Sequence, residues 1–116
     1  MNNSLLVKIT PFAKDDIATI ADYIADDNKL AAKRFVSELE KIFDMLSQFP
    51  NAGTSRFAIK DKKVLAYTIK KNFTVIYRYN KTQLEILRVL TKYQDIFAVL
   101  WLPKLVTTAI IEIGIM

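Results

Sequence analysis

The sequence predicts an α+β fold in which an antiparallel helical hairpin packs on one face of a mainly antiparallel four-stranded sheet, in the order β-α-α-β-β-β. Two neighbouring segments carry apolar residues at helical spacing. The three segments that follow are rich in β-branched and aromatic residues and are joined by short polar connections. Because each helix has a single apolar stripe, both helices need a sheet face that covers this stripe. The length of 116 residues suits one domain.

The first half of the chain predicts one strand and both helices. An apolar run at residues 5–9 predicts the strand, after which Thr10 can cap a helix that begins at Pro11. Asn28 can cap a second helix over residues 30–49, which the PNAG stretch stops. The apolar stripes are Ile17, Ile20, Ala21 and Ile24 on the first helix and Phe35, Leu39, Ile42, Phe43, Leu46 and Phe49 on the second.

The second half predicts an antiparallel meander of three strands. Side chains alternate along a strand, so Phe73, Val75 and Tyr77 share one face, which we expect to lie under the helices. The opposite face is then partly open. The predicted strands are residues 64–69, 73–79 and 84–90.

Two of these strands carry an arginine each, Arg78 and Arg88. The alternation of side chains places both arginines together on the open face. An alternative is that either arginine lies at a strand end and pairs with Glu85 or Asp95.

The chain has no Cys and no His. A disulfide framework is therefore excluded, and zinc, haem or a Cys/His nucleophile would lack its usual ligands and bases. No glycine-rich loop could cradle a phosphate, and no Ser has a plausible base beside it. Asp15, Asp16, Asp22 and Asp26 could supply oxygen ligands, but a solvated helix face explains them better. We expect no metal and no cofactor.

Charge is distributed unevenly along the chain. Residues 1–55 hold 6 basic and 8 acidic residues, whereas residues 56–92 hold 10 basic and 2 acidic ones; the last 24 residues contribute −1 to the net charge of +5. The basic part indicates a surface that meets a negative partner, such as nucleic acid or an acidic protein segment. The alternative is that lysines on exposed strands merely keep the protein soluble.

The order of segments is similar to that of the ParE branch of the RelE/ParE toxin superfamily from bacterial toxin–antitoxin modules. Four sequence segments carry the resemblance and together cover about residues 6–96. Each segment alone is weak evidence, whereas the four in this order are distinctive. The resemblance implies the same α+β fold. It rests on ITPFAKDDIATIADYIADDN, AAKRFVSELEKIFDMLSQFPNAG, FTVIYRY and LEILRVL.

Members of the RelE branch cut mRNA on the ribosome without a metal, using lysines and arginines to activate the ribose hydroxyl and stabilise the phosphate charge. The arginine positions expected from that branch hold Thr74 and, approximately, Tyr93 in this chain. Lysines without those arginines would stabilise the developing charge poorly. A ribonuclease of this type would depend on Lys60, Lys62, Lys63, Arg78 and Arg88.

Members of the ParE branch inhibit DNA gyrase by binding it and stabilising its cleaved-DNA complex, so the resemblance implies a protein inhibitor rather than an enzyme. It also implies a cognate antitoxin of the ParD or RelB type, whose acidic C-terminal segment folds onto the toxin. Growth inhibition, plasmid stabilisation and a cytoplasmic location follow as expectations. The expected antitoxin- or target-binding residues are Arg56, Arg78, Arg88, Lys92 and Tyr93.

Residues 98–116 form a hydrophobic extension beyond the expected toxin domain of residues 1–97. Residues 96–116 have the length of the ~20 residues that span a bilayer. Pro103, Lys104 and Glu112 argue against stable insertion. We expect residues 106–115 to add a strand or helix at the sheet edge, or to pack against a second copy in a homodimer. We also expect it to alter or abolish toxicity.

Overall fold

The structure, a computed structural model, describes residues 4–59, 62–69 and 73–91, which form two helices on one five-stranded sheet. The elements in chain order are β1 (Leu6–Ile9), α1 (Pro11–Asp27), α2 (Lys29–Gln48), a 3-10 turn (Pro50–Ala52), β2 (Thr54–Ile59), β3 (Lys62–Ile69), β4 (Phe73–Tyr79) and β5 (Gln83–Thr91).

The α+β class is confirmed, but the sheet has one strand more than predicted. The spatial order is β1-β5-β4-β3-β2, with β1 parallel to β5 and the other neighbours antiparallel. The missed strand, β2, is the last in this order of described strands and pairs with β3, with a shift in register between Ser55 and Phe57. Its sequence TSRFAI lacks the apolar alternation that announces a strand with one buried face.

Both helix starts follow from their capping residues. Thr10 Oγ1 accepts a hydrogen bond from the Ala13 N–H at 3.2 Å, and α1 begins at Pro11 as predicted. Asn28 Oδ1 accepts from the Ala31 N–H at 3.0 Å, so α2 follows α1 after a single residue. This close junction folds the helices into the expected hairpin.

The main core lies between the helix hairpin and one face of the sheet. Phe49 departs from its predicted stripe: α2 ends one residue earlier, the Phe49 backbone is not helical, and its side chain is 60 % exposed. The expected positions of Phe73, Val75 and Tyr77 under the helices are confirmed. The buried members of this core are Ala13, Ile20, Phe35, Leu39, Phe43, Leu46, Leu65, Ile69, Val75, Tyr77, Leu84, Ile86 and Val89.

The opposite face of the sheet is not open at its centre. Val64, Ile76 and Leu90 alternate with the core residues of β3, β4 and β5, and all three are fully buried. The expectation of an open second face is therefore wrong at these positions.

The expectations attached to residues 98–116 lie outside the described residues. Within the described ranges, no helix combines the length and the apolar character needed to cross a membrane.

Candidate functional site

Arg88 on β5 reaches α1 and binds the Asp16 carboxylate. Arg88 Nε donates to Asp16 Oδ2 at 2.6 Å, and Nη2 donates to Oδ1 at 2.8 Å. This two-pronged arrangement is the strong form of a guanidinium–carboxylate pair. The side chains are only 12 % and 13 % exposed. Arg88 is therefore balanced by a partner on a helix, and not by Glu85.

The Asp16 carboxylate also completes the edge of the sheet. Just before Thr10, β1 ends, and the backbone of β5 continues without that neighbour. The Thr10 N–H donates to Ile86 O at 3.1 Å, Thr10 Oγ1 donates to Leu87 O at 3.0 Å, and the Val89 N–H donates to Asp16 Oδ2 at 3.0 Å. Because buried backbone groups need partners, the start of α1 substitutes here for a longer β1.

Arg78 lies in a charged row that crosses three strands. On β4 it lies directly opposite Glu85 of β5, and Glu85 in turn lies beside Lys8 of the parallel β1. Arg78 and Glu85 are 5 % and 6 % exposed, whereas Lys8 is exposed. Arg78 Nη1 and Glu85 Oε2 are buried without a hydrogen-bond partner. One carboxylate thus lies between two cations, of which only Lys8 is open to solvent.

A bulge in β5 brings Glu85, and not Ile86, opposite Arg78. Ile76 lies opposite Arg88, but its neighbour Tyr77 lies opposite Ile86, so Leu87 is an extra residue in β5. The predicted placement of Arg78 and Arg88 on one face of the sheet agrees with the register, because Arg88 lies opposite Ile76, two residues from Arg78 on β4. The face around them is buried rather than open, and the two arginines lie near different carboxylates, Glu85 and Asp16. The alternative pairing with Glu85 is confirmed by the register for Arg78 alone.

Tyr77 ties the sheet to the turn that follows α2. Its hydroxyl donates to Pro50 O at 2.7 Å and accepts from the Gly53 N–H at 2.9 Å. Burial raises the pKa of the Tyr77 hydroxyl, and the Gly53 hydrogen bond opposes this only in part. A Cβ atom on Gly53 would lie 2.6 Å from the Tyr77 hydroxyl, so glycine is needed here for close approach.

One end of the molecule exposes both large apolar side chains and lysines. The Leu5 N–H donates to Ser47 O near the end of α2, and the Leu6 N–H donates to Thr82 O in the β4–β5 turn. These contacts bring the start of β1, the end of α2 and the β4–β5 turn to the same end of the fold. We call the exposed large apolar residues and lysines there the β1-end patch; they are Leu6, Lys8, Phe49, Tyr79 and Lys81.

Several of the predicted site residues cannot be placed in this arrangement. Lys60, Lys92 and Tyr93, and the alternative partner Asp95, lie outside the described residues. The backbones of three others belong to β2 and β3, and their side chains lie outside the described part of the chain; they are Arg56, Lys62 and Lys63.

The acidic residues of α1 lie in two different environments. Asp15, Asp22 and Asp26 are exposed, as expected for a solvated face, whereas Asp16 is largely buried against β5. Within the described ranges, no group of three or more acidic residues could hold a metal ion. The missed signal was spacing, because Asp16 lies three residues after the buried Ala13 and so falls within the apolar stripe.

Comparison with known proteins agrees with this fold. A family model described as the ParE toxin of the type II toxin–antitoxin system parDE matches residues 7–96. No curated protein matches the sequence at a significant level.

Two solved structures show the same fold at low sequence identity. One belongs to the chromosomal ParDE toxin–antitoxin system of P. aeruginosa: 23 % identity, 78 % of this chain and 98 % of that chain covered, TM-score 0.62. The other belongs to the RelBE2 toxin–antitoxin complex of Mycobacterium tuberculosis: 20 % identity, 76 % of this chain and 98 % of that chain covered, TM-score 0.56. Since the family match spans most of the chain, the protein belongs to the ParE toxin family of type II toxin–antitoxin systems.

Proposed function

We propose that this toxin binds DNA gyrase and stabilises its cleaved-DNA complex, and that it does not cleave RNA itself. The observation that carries the proposal is that neither strand arginine is exposed and each has a carboxylate near it: Arg88 is held by Asp16, and Arg78 is buried opposite Glu85 in the register. Metal-independent RNA cleavage requires cationic donors that are free to stabilise a phosphate as its charge develops. Guanidinium groups already opposed by carboxylates are poorly suited to that role.

Thr74 supports the same proposal. The resemblance to RNA-cleaving relatives assigns an arginine to this position of β4. Here the Thr74 hydroxyl lies 3.4 Å from that of Thr68 on β3, which gives a neutral cross-strand contact. An uncharged hydroxyl pair supplies no counter-charge for a phosphate.

The β1-end patch offers a surface suited to binding. It combines exposed apolar side chains with two exposed lysines, and interfaces are typically built from an apolar centre with a charged rim. Binding to gyrase through this patch places the toxin's action in the bacterial cytoplasm.

A cognate antitoxin is the second partner that we propose. Both structural neighbours come from toxin–antitoxin complexes or systems. Among the strands that the structure describes, β1 is at one end of the order and pairs with β5, so we propose that its outer edge accepts an added strand. An acidic segment with apolar residues would match both this edge and Lys8 beside it.

The proposal is tested by a gyrase assay with a matched pair of charge variants. Purified full-length chain is titrated into a supercoiling reaction, and cleaved complexes are trapped with detergent and protease. We expect loss of supercoiling and accumulation of linear, gyrase-linked DNA. The double variant Lys8→Glu/Lys81→Glu should need about tenfold more protein, equivalent to about 1.4 kcal/mol of binding free energy.

The control is Lys29→Glu/Lys33→Glu, which makes the same change in net charge at exposed positions near the start of α2. These positions are roughly 24 to 30 Å along the helix from Phe49. The control should behave like the unmodified chain. Unaffected gyrase at all concentrations contradicts the proposal, and equal losses in both variants contradict the role of the patch.

A further inference from the structure

Two aromatic residues are exposed at the end of the fold that carries the β1-end patch. Phe49 is 60 % exposed and Tyr79 is 39 % exposed. Burying either ring would be favourable, because aromatic side chains carry a large apolar area. An exposed ring alone carries little information, so the position of the rings and the charge around them decide what they can bind.

Both rings lie close to the contact that joins β4 to the turn after α2. Tyr77 faces the helices, and its hydroxyl is bonded to Pro50 O and to the Gly53 N–H. Tyr79 follows two residues later in β4 and therefore shares the face of Tyr77. Phe49 immediately precedes Pro50 at the end of α2. Each ring is thus within two residues of the same contact.

The charge at this end suits a negatively charged ligand. Two exposed lysines, Lys8 and Lys81, belong to the segments that meet there, and these segments contain no Asp or Glu. Of the flanking carboxylates, Asp44 lies about one turn back from the end of α2, and Glu85 is buried. The segments that meet at this end are residues 4–8, 47–51 and 79–83.

Exposed aromatic rings and lysines on one surface are the combination with which proteins bind single-stranded nucleic acid. Each unpaired base has a flat face that stacks on an aromatic ring, while lysines attract the phosphates. A closed duplex offers no such face along its length, because its bases are already stacked on one another. The surface is therefore better suited to an unpaired strand than to a duplex.

We propose that Phe49 and Tyr79 bind unpaired DNA bases by stacking, and that Lys81, two residues after Tyr79, attracts an adjacent phosphate. The inference rests on the proposed function for the source of the strand. A cleaved-DNA complex contains broken strands, and bases near a break leave the duplex more readily than bases within it. The DNA, rather than the gyrase protein, is then what these two rings contact in that complex.

Fluorescence anisotropy tests the proposal with the purified full-length chain and without gyrase. The probes are a labelled DNA single strand of about 12 nucleotides and the same strand annealed to its complement. We expect the single strand to bind about tenfold more tightly than the duplex, because its bases are free to stack. The double variant Phe49→Leu/Tyr79→Leu keeps the net charge and an apolar side chain at each position, and it should weaken single-strand binding by about tenfold or more.

Tyr23→Leu is the matched control. Tyr23 is 78 % exposed on α1, where Asp22 and Asp26 are exposed as well. It lies near the α1–α2 junction, about 30 Å from Phe49 along α2. The control should bind the single strand like the unmodified chain. Should Tyr79→Leu fail to fold in urea denaturation, Phe49→Leu alone carries the test, with an expected loss of about fivefold.

Three outcomes of the binding assay would overturn the proposal. Equal affinity for single strand and duplex would show that stacking is absent. Binding that survives the loss of both rings but falls in Lys8→Glu/Lys81→Glu would show charge attraction alone. RNA of the same sequence bound about tenfold more tightly than the DNA strand would overturn the assignment to DNA.

The gyrase assay on the same preparations separates this proposal from the proposed function. A chain that traps cleaved complexes but binds no single strand would overturn the stacking site and leave the action on gyrase standing, with protein as the contact of the patch. A chain that binds the strand through Phe49 and Tyr79 but leaves gyrase unaffected would support the stacking site and overturn the action on gyrase.

Discussion

Asp16 of α1 and Arg88 of β5 lie 72 residues apart in the chain and form a two-pronged ion pair, and the same carboxylate accepts the N–H of Val89. One side chain thus links the first helix to both a side chain and the backbone of a central strand. Because Asp16 holds Arg88, this arginine is not free to stabilise a phosphate, and the proposed function depends on that.

Asp16→Asn should lower the free energy of unfolding by about 2 kcal/mol, because hydrogen bonds to a charged group are replaced by weaker ones to an amide. Urea denaturation measures the change. Asp15→Asn is the matched control, since Asp15 is the exposed neighbour, and it should change the stability by less than about 0.5 kcal/mol. Equal effects of the two variants would contradict the anchoring role of Asp16.

Arg78→Met and Glu85→Leu should each lower the free energy of unfolding by about 3 kcal/mol, because each leaves the opposing charge buried alone. The double variant should lie within about 1 kcal/mol of the unmodified chain, since it removes both charges from the buried layer. The comparison is a double-mutant cycle in urea. Additive losses in the double variant would mean that the two residues do not interact.

Tyr77 should make the protein sensitive to alkaline conditions. Its pKa is raised in the folded state by burial, from the ordinary value of 10.0, so above that pH the unfolded chain loses this proton more readily than the folded one. The stabilisation from Tyr77 is therefore complete below about pH 10 and declines as the pH rises towards the folded-state pKa.

Lysines also titrate in this range, so the stability of the unmodified chain is compared with that of Tyr77→Phe, which keeps every lysine and lacks only the hydroxyl. The stability difference between the unmodified chain and Tyr77→Phe should be smaller at about pH 11 than at about pH 8. A difference that stays constant, or grows, would contradict the raised pKa.

Gly53→Ala should lower the free energy of unfolding by about 2 kcal/mol, because the new Cβ must displace atoms from a filled space. That Cβ would lie 2.6 Å from the Tyr77 hydroxyl and 2.9 Å from Ala66 O. Asn51→Ala, at an exposed position of the same turn, should be nearly neutral. The cost of Gly53→Ala should shrink in a Tyr77→Phe background, where the obstructing hydroxyl is absent; an unchanged cost would place the obstruction elsewhere.

The local features of this fold could be predicted from the sequence. The capping residues Thr10 and Asn28 predict where the helices start, and the apolar spacing of α2 predicts which residues pack on the sheet. These signals work because capping and periodic burial depend on residues within a few positions of one another.

The features that decide the candidate site could not be predicted in the same way. The bulge at Leu87 shifts the register by one residue without a glycine or proline to mark it. The pairing of Asp16 with Arg88 depends on where β1 stops beside β5, which no local pattern encodes. Alternation correctly predicts that the two arginines share a face, but it does not show which carboxylate lies near each one, because the bulge and the helix start decide that.

The most direct test of the central claim, that this toxin inhibits gyrase by binding and does not cut RNA, is an induction experiment in bacterial cells. Full-length chain is expressed, and gyrase-linked DNA ends and transcript 5′ ends are mapped in the same culture. The account predicts that DNA ends accumulate at gyrase sites while transcripts remain intact. New transcript ends on translated mRNA, with gyrase-linked ends at background, would contradict it and would mean that the engaged arginines are released for catalysis.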